Sequence, residues 1–173
     1  MQYQELTDYL KIIQIIDRLK EAPYLPTPSY VIEEMLRMAK PKSGELLIDL
    51  GCGDGRILIL AAKKYKCRCR GYEVDPRLVR LSLKKAKEEG VANLVEVIEC
   101  DIFEAYISDA DIITIYLSPT IMRRIKFKLE TEAKEGARIV CHDYPIPGWN
   151  PVQIRELPTK GIHIHRLYLY YVM

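Results

Sequence analysis

The chain has 173 residues, 49% of them hydrophobic and 29% charged, with a formal net charge of +2. These are the proportions of one soluble globular domain, residues 1–173, and they exclude a disordered or fibrous chain. Apolar runs such as the six residues 57–62 fall far short of a membrane span, and the opening residues carry neither the basic nor the apolar segment of an export signal, so a cytoplasmic protein is expected.

Residues 4–20 read as an amphipathic helix, with Leu6, Tyr9, Leu10, Ile13, Ile16 and Leu19 at three- and four-residue spacing. Pro23, Pro26 and Pro28 then forbid a helix interior, and Thr27 is placed to cap a helix that opens at Pro28 and runs to Lys40. Residues 45–50 are a short apolar run ending in a glycine cluster, the pattern of a buried parallel strand. A helix is expected at 56–65, a strand at 67–74, and a second helix capped by Asp75, opened by Pro76 and closed by Gly90. Strands follow at 94–100 and 111–117, a helix at 122–135 and a strand at 137–142. Residues 152–157 and 162–172 are strand-like with no helix between them. Strand alternating with helix from 45 to 142 indicates an α/β fold on a parallel sheet, and the terminal pair adds an antiparallel strand. Residues 1–44 would then supply N-terminal helices and a proline-rich lid, and residues 45–173 the sheet.

Five scattered cysteines, an odd number, argue for reduced thiols. Two Asn and four Gln beside abundant Ile, Lys, Arg and Glu are the composition of a thermophilic source. Charge is uneven: residues 61–90 hold ten Lys or Arg against four acids, whereas residues 91–118 hold six acids and no base.

The segment Asp49-Leu50-Gly51-Cys52-Gly53-Asp54-Gly55 lies between an expected strand and an expected helix. Glycines there make a tight turn and let a ligand approach the backbone. Glu73 ends the next strand, where a carboxylate can accept both hydroxyls of a ribose. A dinucleotide fingerprint would need its third glycine at position 56, which is Arg56. Asp49 and Asp54 also disfavour a pyrophosphate. A cationic ligand without phosphate fits better, and S-adenosylmethionine is one. Asp101-Ile102 follows the third strand, where an acceptor for an adenine amino group is needed.

These residues resemble the seven-strand, Rossmann-like S-adenosylmethionine-dependent methyltransferases, which implies strand order 3-2-1-4-5-7-6 with the last strand antiparallel. Pro23-Tyr24-Leu25-Pro26-Thr27-Pro28 ahead of the Asp49–Arg56 loop, Tyr116-Leu117-Ser118-Pro119-Thr120 after the fourth strand, and Pro145-Ile146-Pro147-Gly148-Trp149 after the fifth narrow the match. Together they are similar to the small non-SET protein lysine methyltransferases with crenarchaeal and mitochondrial members. The mitochondrial members' N-terminal membrane-associated extension has no counterpart here, which points to the archaeal type.

The resemblance implies methylation of lysine side chains on proteins, chromatin-type DNA-binding proteins and the enzyme itself among them. The partners expected are proteins with exposed lysines, with no membrane association, indirect or weak contact with nucleic acid, and a monomeric enzyme. Cofactor contacts are expected from Thr27, Pro28, Asp49, Gly51, Cys52, Gly53, Gly55, Glu73, Val74, Asp101, Ile102 and Tyr116. Tyr24 and Tyr116 are expected to line an apolar acceptor channel that favours the neutral amine. Asp101, Glu104, Asp109 and Asp111 are expected to form an acidic mouth that attracts a lysine.

An RNA or DNA methyltransferase of the same fold is the alternative, on the strength of the basic stretch 61–90 and of Arg123, Arg124, Lys126 and Lys128. Against it, the segment after strand four lacks the N/D-P-P-Y/F of base-amine methylation, and no cysteine follows Pro or Thr as cytosine-carbon chemistry requires. A binding module that has kept the fold without turnover is a further reading. No metal is expected: Cys67-x-Cys69 and His163-x-His165 have one intervening residue where zinc motifs use two or more, so they read as buried strand cysteines and exposed histidines.

Overall fold

The computed structural model describes residues 25–159 and 161–173. The helix expected at 4–20, and Tyr24, lie outside the described residues. The elements are α1 (Ser29–Ala39), β1 (Leu46–Leu50), α2 (Arg56–Tyr65), β2 (Arg68–Glu73), α3 (Pro76–Glu88), β3 (Val95–Glu99), β4 (Ile112–Ile115), α4 (Pro119–Glu132), β5 (Arg138–His142), β6 (Gln153–Pro158) and β7 (Ile164–Tyr171). The sheet order is β3-β2-β1-β4-β5-β7-β6, parallel throughout except for β7, which runs antiparallel to both neighbours. This is the order and direction that the resemblance implies.

Every residue of β1 is buried, because the strand lies mid-sheet with helices on both faces. Its alternation sends Leu47 into one core layer with α1 and α2, and Leu46, Ile48 and Leu50 into the other with α4. Helix α1 buries Val31, Ile32, Met35, Leu36 and Met38 on its inner face, each worth about 1.5–3 kcal/mol relative to exposure. All five cysteines are free thiols.

Two local signals behave differently from expectation. Thr27 caps nothing: Pro28 occupies the N-cap position of α1 with no side-chain cap, and Thr27 Oγ1 instead faces His142 Nδ1 at 3.4 Å. Helix α4 starts three residues ahead of the expected 122, because Ser118 caps Ile121 N–H at 3.4 Å and Pro119 occupies the first turn. The same chemistry operates at Asp75-Pro76, where Asp75 Oδ1 accepts the Arg77 N–H at 2.8 Å.

Candidate active site

The C-terminal ends of the parallel strands frame a cleft of about 290 Å³, the place where open α/β sheets bind ligands. The glycine loop forms its floor. Gly51 and Cys52 N–H both donate to the Tyr72 carbonyl, at 2.9 and 3.0 Å, which folds the loop over the end of β2. Glu73 fixes the loop from that strand: its Oε2 accepts the Gly53 N–H at 2.9 Å, and its Oε1 accepts the N–H of Val74 at 2.9 Å and of Asp75 at 3.0 Å.

Asp49 is the most exceptional charge. It pairs in register with Thr114 across β1 and β4, and Thr114 Oγ1 donates to its Oδ1 at 2.7 Å. Burial pushes its carboxyl up to about 7; the Thr114 bond opposes the shift, and the charges of Glu73 and Asp54 add to it. A buried carboxylate at the cleft floor with one hydroxyl for a partner favours a cation beside it. Asp54, expected to share that role, does not. Burial works against its charge, yet bonds from Arg56 (2.8 and 2.9 Å) and Lys85 (2.5 Å) hold its carboxyl well below the usual range. Asp54 ties the loop to α2 and α3.

The cleft brings together ten of the expected residues: Thr27, Asp49, Gly51, Cys52, Gly53, Glu73, Val74, Asp101, Ile102 and Tyr116. Two others stand outside its lining. Pro28 turns the chain into α1, its carbonyl accepting the Val31 and Ile32 N–H groups. Gly55 packs against α3: a Cβ there would lie 1.9 Å from Ser82 Oγ. Burial first, then the nearby Asp49 and Glu73 charges, raise the Cys52 thiol, so it is an inert part of the wall.

The apolar part of the wall comes from Leu78, Ile102, Phe103 and Ile121. Tyr116 and Tyr144 line the cleft as well. Burial and the neighbouring Asp143 carboxylate push the Tyr116 phenol up to about 12, so it stays protonated. Its ring stacks on His142 with centroids 4.0 Å apart. Burial, against the pull of Asp143, holds the His142 imidazole down at about 4. Phe103 and Tyr144 were not singled out from the sequence, and Ser118 was singled out only as part of the segment 116–120. Ser118 had a legible signal in its capping position ahead of Pro119; Phe103 and Tyr144 had none.

The acidic mouth is smaller than expected. Asp101 lines the cleft, but Asp109 and Asp111 sit at the opposite edge of the sheet, because the chain crosses back from the end of β3 to the start of β4. There Asp109 pairs with Arg70 at 3.1 Å, and Asp111 accepts from the Leu46 N–H at 2.9 Å and Lys134 at 2.6 Å. Part of the basic stretch is likewise paired, with Lys63 on Glu89 at 2.5 Å, Lys84 on Glu88 at 3.6 Å and Arg77 on Asp75 at 2.7 Å. On α4, Arg124 lies 4.4 Å over the Phe103 ring, and Lys126 and Lys128 pair with Glu130 and Glu132. His165 is buried, against the expectation of an exposed residue, and His163 remains exposed.

Residues 49–153, the glycine loop through β5 to the start of β6, match the model of the ANTKMT methyltransferase domain. The chain belongs to this methyltransferase family. It is similar to a protein-lysine N-methyltransferase of Saccharolobus islandicus, 36% identical over 87% of this chain and 93% of that protein. It is also similar to the adenine nucleotide translocase lysine N-methyltransferase of Mus musculus, 31% identical over 78% of this chain, although it spans only 58% of that longer protein. Among solved structures it resembles an RNA methyltransferase from Salinibacter ruber in complex with S-adenosyl-L-homocysteine. That likeness has a TM-score of 0.79 and 38% identity, and covers 86% of this chain and 94% of the other. The glycine loop, Glu73 and Asp101 of this family member thus sit in a sheet whose relatives bind the methyl donor's product. Among the described residues no helix is long and apolar enough to cross a membrane.

Proposed function

We propose that this enzyme transfers the methyl group of S-adenosylmethionine to lysine side-chain amines of proteins. The observation that carries the reading is the continuity of one cleft, from the Glu73-anchored glycine loop and the cation-seeking Asp49 to the tyrosine wall at Tyr116 and Tyr144. Glu73 would take the ribose hydroxyls, Asp101 the adenine amino group, and Asp49 the cationic methionine end. Bound there, the cofactor would supply a sulfonium methyl group for transfer to a neutral amine.

Only about one lysine in a few thousand is neutral at pH 7. Tyr116, Tyr144 and Leu25 at the cleft wall would disfavour the ammonium form and align the amine. Tyr116, held protonated, orients the amine by hydrogen bonding, and the proton leaves to water. Basic DNA-binding proteins of chromatin type, and exposed lysines of the enzyme itself, are the substrates we assign. The 36% identity to the Saccharolobus protein-lysine N-methyltransferase over nearly its whole length supports the acceptor class.

The second reading is methylation of RNA, favoured by the likeness to the Salinibacter protein described as an RNA methyltransferase. One labelling experiment separates the two. The purified enzyme is incubated with methyl-labelled S-adenosylmethionine and a chromatin extract with its nucleic acid. Label that survives nuclease and maps to lysine establishes the protein reading, and label on the enzyme establishes self-methylation. Label lost with nuclease overturns it in favour of RNA or DNA.

A further inference from the structure

All three histidines of the chain gather with one carboxylate where β5 ends beside β7. His142 closes β5, and the antiparallel register that pairs it with Leu167 places His165 two residues away on β7. His142 Nε2 lies 2.9 Å from His165 Nδ1. Asp143 Oδ2 lies 3.5 Å from His142 Nε2 and 3.7 Å from His165 Nδ1. His163 Nε2 approaches the same carboxylate oxygen at 3.1 Å and His165 Nδ1 at 3.2 Å. The side chain of His142 is buried, those of Asp143 and His165 are 9% and 11% exposed, and that of His163 is exposed.

The backbone is built to hold this arrangement. Asp143 has φ 60°, a left-handed conformation that Asp tolerates better than most non-glycine residues, here with hydrogen bonds to Arg166 on the facing strand. Its N–H donates to the Arg166 carbonyl at 2.6 Å, and its Oδ1 accepts the Arg166 N–H at 3.0 Å. Oδ2 is therefore the oxygen left to face the imidazoles.

We propose that His142 Nε2, His165 Nδ1 and Asp143 Oδ2 bind one divalent transition-metal ion of the zinc class, with His163 Nε2 as a fourth ligand from the solvent side. Two or three imidazoles and a carboxylate are a zinc-type donor set. Ligand atoms around a tetrahedral ion with bonds of about 2.0–2.1 Å stand about 3.3–3.4 Å apart; the separations among His142, Asp143 and His165 run from 2.9 to 3.7 Å. The second nitrogen of His142 faces Thr27 Oγ1 at 3.4 Å, the outer partner that metal-binding histidines use to fix ring orientation. Spacing along one strand does not reveal the site, because its ligands come from two strands.

The ion would touch neither cofactor nor amine. It lies behind the cleft wall: Tyr116 stacks on His142, Thr27 contacts the same ring, and both line the cleft. His142, His165 and Asp143 are thus positioning residues, and the ion would hold that wall in place.

The test uses the full chain, stripped with chelator and then titrated with Zn²⁺ or Co²⁺ alone. Saturable binding of one ion per chain is expected, with the intense visible absorption of four-coordinate Co²⁺ and a melting temperature that rises with ion concentration. His165→Ala and Asp143→Ala should abolish the Co²⁺ spectrum and weaken binding by at least about 100-fold, and His163→Ala, at an exposed side chain whose loss leaves the core intact, by about tenfold. The absence of saturable binding to the folded wild-type chain overturns the proposal. So does binding that survives His165→Ala and His163→Ala but is lost in Cys67→Ser.

Discussion

The Gly53 N–H donates to Glu73 Oε2 at 2.9 Å, so one carboxylate at the end of β2 holds the glycine loop in place and faces the cleft at the same time. Glu73→Ala removes the acceptor from three backbone N–H groups as well as from the cofactor. Each bond to a charged acceptor is worth about 1.5–3 kcal/mol. Titration calorimetry should show cofactor affinity reduced by at least about tenfold, with Glu73→Gln intermediate. Wild-type affinity in both variants would remove Glu73 from the cofactor site.

Asp49 predicts a pH dependence whose sign follows from its raised carboxyl, at about 7 against an ordinary 3.8. Between those values the folded protein holds a proton that the unfolded chain has released. Stability of the cofactor-free protein should therefore fall as pH rises from about 4 to about 7. A cationic ligand beside Asp49 favours the ionised form, so cofactor binding should tighten as pH rises toward about 7, with release of a proton, and level off above it. Calorimetry in buffers of different ionisation enthalpy measures that proton, and Asp49→Asn should abolish both slopes.

Tyr116→Phe keeps the ring that stacks on His142 and loses the hydroxyl. Turnover should fall by at least about tenfold, on the scale of one positioned hydrogen bond in the transition state, while cofactor affinity changes little. Equal losses in turnover and cofactor affinity would make Tyr116 part of the cofactor pocket alone.

Gly55 tests packing without touching the cleft. Its φ of +76° and the 1.9 Å approach of an added Cβ to Ser82 Oγ both penalise Gly55→Ala, by about 1–3 kcal/mol for the overpacking alone. Denaturant melts should show that loss. Ser82→Ala, which removes a buried hydroxyl with no hydrogen-bond partner, should be nearly neutral alone and should restore part of the stability in the double variant.

Most of the sheet was legible because its signals are local. An apolar run before glycines, a carboxylate at a strand end and an Asp-Pro or Ser-Pro cap each act within a few residues, and β1, α2, β2 and α3 fall within a residue or two of expectation. The start of α4 was misplaced although Ser118-Pro119 carried the same capping chemistry as Asp75-Pro76.

The order of residues alone encodes the glycine loop, Glu73, Asp101 and the family they belong to, because a ligand-binding turn is written in neighbours along the chain. Folding in three dimensions was needed to neutralise Asp54 with Lys85, to carry Asp109 and Asp111 to the edge away from the cleft, and to bring His142, Asp143 and His165 together. Each of these depends on which strand lies beside which, in what direction and in what register. Those choices are made by burying two apolar faces at once, a property of the whole sheet that no window of sequence contains.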